Sequence, residues 1–369
     1  MDRRGFLLAG FGGAAALALS GPVHGAAPIS PEEHARTISL MRPPKRARPL
    51  VAIIADNVGA ETTDLLVPFN VLSRSGLADV MVVAPSDAPI QLMPALRIRP
   101  TLSLAAFDAA HPDGPDYVIV PAQHRQDARP VIEWLRRQAK GRATMVGVCA
   151  GSVTLGAAGL LDHRRFTSHW GQVAGLRRAH PSAIWRKDRR YVADTGLITT
   201  TGVTAALPMS LALVEAIGGA GRAQGLSDVL GAAGSDERHD SSAFHLAAAD
   251  VGLALANMAE IWRHQVIGLP VEPGQDEMAL AFTADAYSIT FRSHVVTLGG
   301  AASLRTAHGL ELLVDRVGDP GHLDLVLPRL SDDRPAASLN TALAGIARRF
   351  GGDTAAFVAL QVEYPWRRA

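Results

Sequence analysis

The chain contains a single cysteine in 369 residues. No intrachain disulfide can form, so Cys149 is either a buried inert thiol or one kept for its reactivity. Aromatic residues are scarce, at 5%, and 36 basic against 35 acidic residues leave a net charge of only +1. The bulk charge therefore gives no reason to expect nucleic acid or an acidic substrate, and a small molecule is the expected partner. No run reaches the ~18 uninterrupted apolar residues of a membrane span. There is no P-loop, and no G-x-G-x-x-G follows a strand, since Gly218-Gly219-Ala220-Gly221 ends a helix. His239, Asp240 and His245 lie close together, but H-D-x-x-x-x-H is no familiar ligand spacing. Neither a metal nor a cofactor is expected.

What is present is apolar. At 48% hydrophobic residues the chain reads as an Ala/Val/Leu/Gly-rich α/β protein long enough for two domains. Residues 1–27 stand apart from the fold. Arg3-Arg4 precede an apolar region running to about Leu19, and Gly25-Ala26-Ala27 offers small residues for cleavage. This pattern is similar to a twin-arginine export signal, and it makes the periplasm the expected location; an uncleaved anchor or a buried helix is the alternative. Residues 28–48, with four prolines among charges, read as a polar tether.

The remainder is organised around residues 144–161. The β-branched run ending at Val146 meets Gly147-Val148-Cys149-Ala150-Gly151, and helix-forming residues follow. A G-x-C-x-G spacing between strand and helix has the form of a nucleophile elbow, in which glycines permit a sharp turn under close packing. Upstream, Leu50 to Ile54, Asp79 to Pro85 and Tyr117 to Pro121 are buried-strand patterns, separated by helices over about 63–75 and 129–140. The polar stretch before Asp113 predicts a small hairpin. Strands alternating with helices predict a doubly wound, mostly parallel sheet, with the ligand crevice at the carboxyl ends of its strands, where Cys149 lies. Residues 191–202 read as a hairpin returning to the sheet and 203–217 as an apolar helix limited by Pro208. A polar Gly-rich stretch over 220–242 and a helix over 243–262 close the first domain.

From residue 263 to 369 a second, smaller α/β region reads as a degenerate copy of the first. Residues 266–271, 276–290, 294–298 and 324–328 follow the order of the first strand, first helix, second strand and third strand, with 341–350 and 357–362 after them. Setting Gly274 opposite Gly59 places Ala279 opposite Asp64, and no cysteine stands where a second elbow would need one. Such a region would be a packing partner without chemistry of its own.

Residues 49–262 resemble the ThiJ/PfpI superfamily, a glutamine amidotransferase-like fold, in the branch of AraC-type regulator sensor domains and isonitrile hydratase. The residues that carry the resemblance are Asp64 to Val71, Val148 to Gly151, Gly159 to Asp162 with Thr167 to Trp170, and Thr200 to Ala205. No helix-turn-helix module follows. The resemblance implies that Asp64 reaches the Cys149 sulfur, and a thiol at a helix N-terminus is expected to favour its thiolate. His169, in Thr167-Ser168-His169-Trp170, is the candidate proton shuttle, with His124 its rival. Ala150 and Gly151, together with Ala122, Gln123 and His124 on the loop after the third strand, are the candidate oxyanion and pocket residues. Many hydrolytic relatives carry paired glycines where Ala122-Gln123 stand, and the hydratase branch has a hydroxyl where Ala150 stands. Two functions remain open: an exported cysteine-dependent hydratase or hydrolase acting on a small electrophile, and a non-catalytic ligand-binding or redox-sensing protein. The superfamily implies either a homodimer or, with the second region occupying that interface, an internal pseudo-dimer.

Overall fold

A computed structural model describes residues 28–366. The expected export signal, residues 1–27, lies outside them.

Seven strands form the main sheet in the order Tyr191–Asp194, Leu197–Thr200, Thr144–Gly147, Tyr117–Val120, Leu50–Ile54, Asp79–Ala84, Leu102–Ser103. Every neighbouring pair is parallel except the first, the returning hairpin. The three central strands are buried along their whole length, which is why they read as unbroken apolar runs and not as alternating ones. Apolar side chains fill both faces of the sheet. The fold is the expected one.

The stretch before the sheet differs from expectation. Within residues 28–48 the helix Pro31–Leu40 is capped by Ser30, whose hydroxyl accepts from Glu33 N–H. Met41 is buried, and its carbonyl accepts from Tyr117 Oη at 2.6 Å. Asp116 holds the rest: its carboxylate pairs with the Arg46 guanidinium and accepts from the backbone N–H groups of Lys45, Arg46 and Leu50. The segment is a docked strap. Its charges looked like solvation because their partners lie about 70 residues away. Two further elements depart from expectation. Ala220–Leu230 is helical despite its glycines, and the helix expected over 243–262 spans only Ala248–Ala259.

The second region has a four-stranded parallel sheet in the order Leu325–Val326, Gln265–Pro270, Ser293–Gly299, Arg316–Val317. This is the order of Tyr117–Val120, Leu50–Ile54, Asp79–Ala84 and Leu102–Ser103 in the first. The correspondence does not reach the last expected strand. Residues 357–362, aligned with the Cys149 strand, belong to the helix Gly352–Gln361 and its end.

The two regions share one core, in which the helices Thr62–Ser75 and Glu277–Ser288 pack together. Their N-caps match: Glu61 accepts from Asp64 N–H, and Asp276 accepts from Ala279 N–H. The hairpin Ile90–Met93/Arg97–Ile98 joins Ser303–Arg305/Glu311–Leu313 edge to edge, with Ile98 opposite Leu312.

Candidate active site

Cys149 follows the strand Thr144–Gly147 and precedes the helix Gly151–Ala157. Its φ is +54°, the left-handed region that a β-carbon disfavours, so the surrounding packing must enforce the turn. Gly151 is part of that enforcement. A β-carbon there would lie 1.8 Å from the Val120 carbonyl oxygen, which already accepts from Val148 N–H at 2.9 Å. Gly151 is thus a packing residue and does not line the pocket, contrary to its expected role there.

The thiol is 6% exposed and opens into a cavity of about 560 Å³. Glu61, Ala122, His124, Ala150 and His169 also line it, and the helix Gly352–Gln361 contributes Gln361. Val153, Val203 and Trp170 give it apolar walls.

Gln123 is another correction. It is fully buried and faces away: its Nε2 donates to the carbonyls of Ile54 and Pro121, and its Oε1 accepts from Asp56 N–H at 2.8 Å. The amide pins the loop to the first strand, a role that glycine could not fill.

Asp64 sits behind the pocket, wholly buried. Its Oδ2 accepts from Ala122 N–H at 3.0 Å, while Oδ1 has no partner among the described residues. Glu61 accepts from Asp64 N–H and also hydrogen-bonds Asp285 of the second region. Asp285 in turn accepts from Thr63 Oγ1 at 2.9 Å. Three carboxyl groups therefore meet, Asp64 and Asp285 buried and Glu61 at the cavity wall, with Asp64 and Glu61 close enough to act on the thiol. Burial above all pushes Asp64 up to about 7, although its bonds to Ala122 N–H and Glu61 oppose the rise. Burial likewise brings Asp285 to about 6, and burial followed by repulsion from Asp285 and Asp64 raises Glu61 well above the carboxylate range. Such a cluster titrates as a unit that holds on to protons near neutrality.

Burial also pushes the Cys149 thiol well up, and Asp64, Glu61 and Glu363 add to the rise in that order; the neighbouring Ala150 N–H works against it. The expected preference for thiolate is reversed, because burial of the thiol, with the neighbouring carboxyl groups adding to it, outweighs the field of the seven-residue helix behind Cys149.

Two backbone donors are already engaged. Cys149 N–H donates to Thr200 Oγ1 at 3.1 Å and Ala122 N–H to Asp64 at 3.0 Å. An oxyanion drawing on either would have to displace one of these bonds. His169 is similarly occupied: its Nδ1 accepts from Gly171 N–H at 3.2 Å, so the neutral ring carries its proton on Nε2, 3.1 Å from the Gln361 carbonyl. It borders the cavity but offers no free lone pair. His124 borders it too, with Nδ1 3.2 Å from Met93 Sδ. Among the described residues, no three His, Cys, Asp or Glu side chains are grouped to hold a metal ion.

Sequence reasoning missed Glu61, Gln361 and Asp285. Glu61 alone left a signal, as the N-cap of the helix that carries Asp64.

The DJ-1/PfpI family model matches residues 50–216. Isonitrile hydratase from Pseudomonas putida is 31% identical over 165 residues, 44% of this chain and 69% of that protein. The HTH-type transcriptional regulator CdhR from Pseudomonas aeruginosa is 33% identical over 84 residues, 23% of this chain and only 25% of that protein. Among solved structures, Drosophila melanogaster DJ-1beta aligns with a TM-score of 0.45 and 23% identity, across 50% of this chain and 99% of its own. Since the matched stretch carries the sheet, the Cys149 turn and Asp64, and extends over most of the hydratase relative, the chain belongs to the DJ-1/PfpI family.

Proposed function

We propose that the protein is a cysteine-dependent hydratase of a small electrophile, with an isonitrile as the test substrate. The observation that carries this reading is the unpartnered, buried Asp64 Oδ1 of a proton-holding carboxyl cluster beside the Cys149 thiol. A raised thiol next to such a cluster suits addition in which sulfur and proton are delivered together, without a standing thiolate. Sulfur bonds to the terminal carbon of R–N≡C and the thiol proton, relayed by Asp64, ends on that carbon, giving a thioimidate. Water then adds to the thioimidate carbon, and the C–S bond breaks as the sulfur recovers a proton, leaving an N-substituted formamide. The sum is isonitrile plus water. No strong oxyanion develops, which agrees with the engaged N–H donors and disfavours amide hydrolysis. The turn at Cys149 then acts as a nucleophile elbow.

The assay is formamide release from a small alkyl isonitrile, followed by mass spectrometry. Wild type should turn over, and Cys149→Ala and Asp64→Asn should lose turnover while melting as folded proteins. Turnover retained in both variants, or absent from wild type, refutes the enzyme reading.

The same engaged donors favour a second reading, a non-catalytic ligand-binding or redox-sensing protein. Mild peroxide should then convert Cys149 to its sulfenic or sulfinic acid, and an unmodified thiol would count against it.

We further propose that the matching strand order and N-caps reflect an internal pseudo-dimer, so that the chain should elute from a sizing column at the mass of one copy. We also propose export by the twin-arginine route, tested by locating the protein after disruption of that pathway.

A further inference from the structure

A second cavity, of about 680 Å³, lies on the other side of the C-terminal segment from the thiol. Gln361 lines the thiol pocket, whereas Leu360, Glu363 and Trp366 line this one, so the same stretch separates the two. The remaining wall includes Arg190, His239 and Phe244.

The charges of the lining are nearly all spoken for. Asp236 accepts from Arg238 Nε at 2.6 Å and from Arg238 N–H at 2.9 Å. Asp240 accepts from the N–H and hydroxyl of Ser242. Glu363 accepts from Trp170 N–H at 2.8 Å and faces His239 Nε2 at 3.1 Å. Arg190 is the exception. Among the described residues its guanidinium makes no hydrogen bond; Asp236 and Glu363 attract it only from a distance, and burial, the largest influence on it, holds its pKa below the usual arginine value. A half-buried guanidinium has lost much of its water and gained no acceptor, an arrangement that a ligand oxyanion would complete. Beside it the His239 ring stacks on Phe244, with centroids 5.1 Å apart and planes at 5°, and Trp366 adds a further flat apolar surface.

We propose that this cavity is a second ligand site, for a small organic carboxylate with a flat apolar body. The carboxylate pairs with Arg190 through two N–H donors, and the body lies against Phe244 and Trp366. The inference does not depend on the hydratase reading, because no Cys149 chemistry enters it.

Titration calorimetry on the full chain tests it, with sodium benzoate as the probe. Benzoate should bind saturably. The neutral isostere benzamide, inorganic phosphate, and benzoate on Arg190→Gln should each bind about tenfold more weakly or worse. Arg190→Lys, which keeps the charge but not the fork, should be intermediate, and it carries the test should Arg190→Gln fail to melt as a folded protein. Benzoate should bind Cys149→Ala as it binds wild type. Absence of saturable binding overturns the proposal, as do equal affinities for benzoate and benzamide, equal affinities for benzoate and phosphate, undiminished binding by both Arg190 variants, or loss of binding in Cys149→Ala, which would move the probe to the thiol pocket.

Discussion

Asp64→Asn should make the protein more stable above neutral pH and should flatten its dependence on pH. In the folded chain Asp64 titrates at about 7, against a usual value of 3.8. The native state therefore holds a proton that the unfolded chain has released between these limits. By linkage, the stability contributed by the protonated carboxyl is fully present below pH ~4 and is lost as pH rises to about 7. Three units at 1.36 kcal/mol each give a loss of roughly 4 kcal/mol, an upper figure because Glu61 and Asp285 share the same protons. Asparagine mimics the protonated carboxyl: its carbonyl can still accept from Ala122 N–H, and its amide cannot ionise. Urea midpoints measured from pH 5 to pH 8.5 provide the assay. Wild type should lose stability across this window while Asp64→Asn loses at least ~1 kcal/mol less, the remaining slope belonging to Glu61 and Asp285. Equal slopes would refute the placement of a proton on Asp64, and a wild-type midpoint that rises with pH would refute the cluster's proton-holding character altogether.

Other perturbations follow from the same geometry. Asp285→Asn keeps an acceptor for Thr63 but offers Glu61 an amide donor, which favours ionised Glu61 beside the sulfur; alkylation of Cys149 by iodoacetamide at pH 7.5 should slow by about threefold. Gly151→Ala forces a β-carbon against the Val120 carbonyl and should cost ~3 kcal/mol or more in urea denaturation. Arg46→Ala should cost about 1–3 kcal/mol, because Asp116 loses its cation but keeps three backbone donors. That cost should shrink, without vanishing, in an Asp116→Asn background, because Arg46 also donates to the Gly114 carbonyl, as a double-mutant cycle would reveal.

The sheet was legible because fully buried parallel strands are continuous apolar runs: Leu50 to Ile54 and Tyr117 to Val120 admit few other readings. Cys149 was legible from its flanking glycines, and Asp64 from the motif around it. Direction was harder. The field of a helix terminus can be read from sequence, but the burial and the carboxyl groups that outweigh it arise from tertiary packing, with Asp285 more than 200 residues from Glu61. Gln361 reaches the pocket on a helix that sequence order aligned with a strand. The strap over 31–48 read as solvated because its charges announce polarity while concealing their partners. His169 was found by its neighbours in sequence, yet its lone pair caps its own helix, a detail that only backbone geometry fixes.

The junction between the two regions has one further consequence. The alignment that sets Asp276 opposite Glu61 also sets Asp285 opposite Asn70, and two of the contacts across the junction are Glu61 with Asp285 and Asp276 with Asn70. In a dimer of identical chains related by a two-fold axis these would have to be the same pair of residues, because one codon writes both sides. A single chain writes each side separately. An acid can face an acid where a thiol waits, and an amide can quiet the equivalent acid where none does, so that either contact can change without disturbing the other.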